Sequence, residues 1–113
     1  MSDAGQRKFD MIAREFTRRP RVEMGTGRRG FGSDALNVDG RIFAMLRHGR
    51  LVVKLPAPRV AALVAAAVAE PFDAGKGRPM KEWAVIDMAA SDAWPRLVAE
   101  SLEFATRAGG GKP

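Results

Sequence analysis

The stretch Leu36-Asn37-Val38-Asp39-Gly40-Arg41-Ile42-Phe43-Ala44-Met45-Leu46-Arg47-His48-Gly49-Arg50-Leu51-Val52-Val53-Lys54-Leu55 decides the fold. Two apolar runs, residues 36–38 and 41–46, are separated only by Asp39-Gly40. Both central residues of a type I′ turn need positive φ, which Gly adopts freely and Asp tolerates better than most, so this pair is a strong hairpin signal. His48-Gly49 repeats the arrangement before a third run, residues 50–55. The spacing predicts three consecutive antiparallel strands. In the third, Leu51, Val53 and Leu55 alternate with Val52 and Lys54, the period of a half-buried strand. In the second, strict alternation sends Ile42, Ala44 and Leu46 to one face and Phe43 and Met45 to the other. Both faces of that strand then want cover, from a second layer or from another subunit.

Helices flank the meander. Phe9, Ile12, Ala13 and Phe16 fall at i, i+3, i+4 and i+7, the apolar stripe of an amphipathic helix, with Arg7, Lys8, Arg14 and Arg18 off the stripe. Pro20 ends that helix, and residues 22–24 predict a short strand. Pro56 and Pro58 open a second helix. Its residues 60–69 are almost all Ala and Val, which reads as a helix well buried or packed on a partner. Pro71 stops it, Phe72 starts a strand, and residues 81–88 form another. Ser91 or Asp92 is placed to cap the last helix, with Pro95 in its first turn. Trp94, Leu97, Val98, Leu102 and Ala105 make its core stripe, and Glu103 and Arg107 an i, i+4 ion pair. The order predicts an α+β fold of two layers, an antiparallel sheet packed against helices. One domain over residues 1–108 and a disordered tail over 109–113 are expected.

A chain of 113 residues is one domain's worth. Cys is absent, which excludes disulfides, thiolate metal sites and a cysteine nucleophile. With one His and no Tyr, most acid/base and zinc constellations go too, so an enzyme is not expected and no cofactor is implied. No apolar run reaches the roughly 20 residues of a membrane span, and the first ten residues lack the apolar segment of a secretory signal. A cytoplasmic protein with no membrane partner and no small-molecule substrate is the expectation. Net charge is +6, unevenly spread. Residues 7–29 hold eight basic side chains against three acidic ones, whereas residues 61–106 hold four against seven. A basic segment of this kind attracts phosphate and releases counterions. It is also what an ordinary solvated surface looks like in an Arg-, Ala- and Gly-rich chain.

Catalytic motifs fail on context. Gly25-Thr26-Gly27-Arg28-Arg29-Gly30 spells a dinucleotide fingerprint, but that motif must open a helix, and here a hairpin strand follows. A basic loop, with Phe31 available for stacking, is the better reading. Gly75-Lys76-Gly77 lacks the earlier Gly and the following Ser or Thr of a phosphate loop. His48 has no second His or Cys with which to share a metal. Trp83 and Trp94 read as core anchors.

The run Phe31-Gly32 through Leu36–Leu46, then Gly49-Arg50-Leu51-Val52-Val53-Lys54-Leu55-Pro56, resembles the TfoX/Sxy N-terminal domain family, related to the MmcQ/YjbR group. The stretch Gly77-Arg78-Pro79-Met80-Lys81-Glu82-Trp83 and the closing helix are similar to small members of it. The resemblance implies a two-layer α+β domain, without the second domain of the competence regulators. It implies no catalytic residues, and its relatives are often described as DNA-binding.

Two functional expectations follow. In the first, a small regulatory domain binds nucleic acid through phosphate contacts from Arg18, Arg19, Arg21, Arg28 and Arg29, supported by Arg47 and Arg50. In the second, the chain is a protein-interaction module forming a homodimer through Phe43 and Met45, without nucleic acid.

Overall fold

The computed structural model describes residues 4–24, 35–73 and 80–110. Both tight turns form as the Gly positions require. Asp39 and Gly40 have φ of 54° and 83°, and His48 and Gly49 have 54° and 77°, which is type I′ geometry in each. They join β2 (Ala35–Val38), β3 (Arg41–Arg47) and β4 (Arg50–Lys54) into the predicted meander. With β1 (Val22–Met24), β5 (Glu70–Phe72) and β6 (Met80–Ile86) they make a six-stranded antiparallel sheet, ordered β1-β2-β3-β4-β6-β5. Both edge strands, β1 and β5, are three residues long, and β5 carries Pro71.

Three helices cover one face of this sheet: α1 (Ala4–Phe16), α2 (Ala57–Ala65) and α3 (Trp94–Gly110). The stripes read from periodicity are the buried ones. Phe9, Ile12, Ala13 and Phe16 of α1 and Trp94, Leu97, Val98, Leu102 and Ala105 of α3 pack with Leu51, Val53, Ala84 and Ile86 of the sheet. Glu103 and Arg107 pair at 3.1 Å. The fold is thus α+β with two layers.

The second strand departs from simple alternation. Leu36 pairs with Ala44 but Asn37 pairs with Ile42, so Phe43 is an extra residue in β3, a β-bulge. The bulge turns Phe43 and Ala44 to the same side, and both are fully buried in the helix-covered core. The Phe43 carbonyl sits at the bulge. Ser101 of α3, itself fully buried, donates its hydroxyl hydrogen to that carbonyl. A buried acceptor without a partner would be costly, so this serine is part of how α3 sits on the sheet.

Three local expectations need correction. The α2 helix is not well buried within the chain: it buries only Val60 and Leu63, and its alanines 61, 62 and 65 are exposed. Alanine suffices there because it is the best helix former and does not need burial. Its Arg59 clamps α3 through Glu100, at 2.9 and 3.0 Å, and those hydrogen bonds raise the Arg59 pKa above its ordinary value. Before α3, the cap is Asp87 rather than Ser91 or Asp92. A 3-10 segment, Met88–Ala93, intervenes, and the Asp87 carboxylate accepts from the Ala89 amide at 3.0 Å. Trp94 locks this corner by donating Nε1–H to the Asp87 carbonyl at 3.2 Å. Finally, α3 takes in Gly109 and Gly110, placed in the tail by sequence reading, while residues 111–113 lie outside the described residues.

Beyond α2 the chain closes a Schellman motif. The Ala67 amide donates to the Val64 carbonyl and the Val68 amide to that of Leu63, with Ala67 at φ 64°. An alanine there bears the Cβ penalty that glycine avoids. Because Ala67 is exposed, Ala67→Gly is expected to stabilise the protein by about 1 kcal/mol in urea unfolding. An unchanged or lower midpoint would contradict the left-handed cap.

Candidate nucleic-acid interface

The solvent side of α1 is built by the same periodicity that builds its buried side. Arg7, Met11 and Arg14 stand at i, i+4 and i+7, and Arg18, just past the helix end, continues the line at i+11. At 1.5 Å per residue this is a straight basic ridge about 16 Å long. All four side chains are exposed, and among the described residues none of the three arginines is paired with an acid. Asp10, at i+3 from Arg7 and four residues before Arg14, borders the ridge, and its carboxylate accepts from Gln6 Nε2 at 3.0 Å. Close backbone packing holds α1 in place. A Cβ on Gly5 would meet the Gly49 carbonyl oxygen at 2.5 Å, so glycine lets the first turn of α1 press on the β3–β4 turn. At the other end, Arg21 Nη1 reaches Asp39 at 3.3 Å, and the Asp39 amide donates to the Arg21 carbonyl. The chain leaving α1 is thereby tied to the β2–β3 turn.

The basic residues singled out from the sequence do not gather on one face. Arg18 and Arg19 are exposed at the C-terminal end of α1, where cations also complement the helix dipole. Arg19 lies over the Phe16 ring, 4.5 Å from its centroid, and Arg21 is engaged with Asp39. Arg47 and Arg50 flank the β3–β4 turn at the far end of β3, about 20 Å away by strand rise. Cross-strand register puts them on the sheet face opposite the helices. There Arg47 sits 5.7 Å over Phe72 and Arg50 pairs with Glu70 at 3.2 Å. Arg28 and Arg29, with the glycine-rich loop and the cluster around Lys76, lie outside the described residues. The ridge residues Arg7 and Arg14 were legible as a group, since 7, 14 and 18 recur at helical spacing. Sequence reading that follows only the apolar stripe misses them.

The homodimer face is also redrawn. Phe43 is 0% exposed and belongs to the main core, so it offers no surface to a second subunit. The bulge is the reason: it rotates Phe43 away from the face it would share with Met45. Met45 remains on the helix-free face, half-buried, in a small cluster with Val52, Phe72, Val85 and Trp83. Trp83 is accordingly half-buried on this face rather than a core anchor. Cations already roof the cluster, Arg47 over Phe72 and Lys54 Nζ over Trp83 at 5.8 Å. Among the described residues, no three His, Asp or Glu side chains converge as a metal site, and no helix is long and apolar enough to cross a membrane. No family model, no curated protein and no solved structure matches this chain.

Proposed function

We propose that this chain is a small non-catalytic binding domain of the TfoX N-terminal type that holds nucleic acid by its phosphate backbone. The observation that carries this reading is the α1 ridge, three exposed arginines in line with no acid paired to them among the described residues. Arg7, Arg14 and Arg18 are the main contacts. Arg21 joins them by exchanging its solvent-exposed pairing with Asp39 for a phosphate, since exposed ion pairs contribute about 0–1 kcal/mol. Besides these arginines the ridge presents Met11, with no Asn or Gln to read adenine, so base selectivity is weak.

Three to five neutralised phosphates give a log–log salt slope of about −3 to −5 on duplex DNA. Fluorescence anisotropy with labelled duplex across a salt series measures it directly. A flat profile, or no binding at low salt, would sink the reading.

A further inference from the structure

On the flank of α1 that faces α3, beside the ridge, the surface folds into a groove of about 520 Å³. That volume lies in the range of small-ligand sites, roughly 300–1,000 Å³. Ile12 and Phe16 form its apolar floor, and Pro95 and Ala99 its α3 wall. Three cations line it, Lys8, Arg19 and Arg96, against one carboxylate, Glu15. None of the three is ion-paired among the described residues. Arg19 is the most telling. Its guanidinium is held over the Phe16 ring and not by an acid, and with Ala99 it also borders a neighbouring hollow lined by Thr106, Glu103 and Arg107, the last two paired with each other.

We propose that this groove binds a small apolar-bodied carboxylate, with the acid group on Arg19 and the body laid along Phe16, Ile12 and Ala99. Charge complementarity selects the anion, and the apolar floor selects the body. At an exposed site a guanidinium–carboxylate pair and a cation–π contact are comparably weak, so an incoming acid exchanges one for the other on Arg19, and the net gain comes from the ligand's own body covering the Phe16 ring. A bare inorganic anion lacks the second half of this exchange, and a neutral amphiphile lacks the first. The site stands on its own geometry and does not depend on nucleic-acid binding.

Octanoate is a suitable probe, titrated into the ¹⁵N-labelled full chain and followed by amide chemical shifts, beside octanol and inorganic phosphate. Saturable shifts centred on Phe16, Arg19 and Ala99 are expected, with a Kd of about 1 mM or tighter. Octanol and phosphate should each fail to saturate at the same concentrations. Arg19→Met keeps the apolar cover on Phe16 and removes the charge, and should weaken octanoate about tenfold. Ala99→Leu keeps every cation and fills the groove, and should abolish binding even if the Arg19 variant does not fold. Octanol binding as well as octanoate would overturn the proposal. So would phosphate giving the same shifts at the same affinity, shifts following Arg7, Arg14 and Arg18 instead of the groove, or a folded variant that binds like wild type.

Discussion

Replacing Arg7, Arg14 and Arg18 together by Ala should lower affinity for duplex DNA by about 2 × 10²-fold at roughly 150 mM salt and about 3 × 10³-fold at roughly 50 mM. Those factors are the counterion release of three phosphates, relative to about 1 M salt, at the slope of about −0.9 per contact. The salt slope should become shallower by about 3 units, the signature of lost phosphate contacts. The fold should survive, because all three side chains are exposed and Ala is at least as good a helix former as Arg. Arg107→Ala is the matching control. It also removes an exposed arginine, but one on α3 that is paired with Glu103. Arg107→Ala removes one charge where the triple variant removes three, so a loss in Arg107→Ala of about one third as many decades would show that net charge alone drives binding, and the ridge would lose its role. Anisotropy with each variant, after circular dichroism has established its fold, decides the matter.

Phe43→Ala should lower the unfolding free energy by about 3–5 kcal/mol, since it empties a fully buried aromatic site in the main core. Against a total of about 5–15 kcal/mol for a domain, that is enough to leave it marginal. Met45→Ala, two residues along the same strand, should cost much less, because Met45 is half-buried in the small cluster on the other face. The contrast separates two geometries. Strict alternation puts Phe43 and Met45 on one face, and the two changes would then resemble each other and weaken self-association. The bulge puts them on opposite faces, and urea unfolding midpoints should diverge widely while sedimentation stays unchanged. Similar midpoints for both variants would refute the bulge.

Asp39-Gly40 and His48-Gly49 were readable because their turn type depends on local backbone sterics that two residues settle between them. The stripes of α1 and α3 were readable because burial and helical period coincide. Phe43 was misplaced because a bulge is decided by what both strands and α3 can satisfy together, including the hydroxyl of Ser101, which lies 58 residues away in sequence. The Asp87 cap was missed for a related reason, since the indole of Trp94 must close on the Asp87 carbonyl before that corner is preferred. The basic site divides on the same line. Spacing alone aligns Arg7, Arg14 and Arg18, but only tertiary structure shows Arg21 held by Asp39 and Arg50 by Glu70, at opposite ends of β3.

The two ends of the sheet carry a consequence for how the protein behaves when crowded. An unpaired strand is a template on which another chain can build, and long flat edges invite that growth. Among the described residues one margin is Val22–Met24 and the other Glu70–Phe72, each too short to offer more than a bond or two to a newcomer. The second is interrupted further. Pro71 has no amide hydrogen to donate, and pairing with β6 jumps from Ala84 to Met80 between Pro71 and Phe72. The apolar strands, β3 and β4, are sequestered in the middle of the sheet. The described edges thus offer little template for cross-β growth, and aggregation is expected to track the unfolded fraction rather than the concentration of native protein.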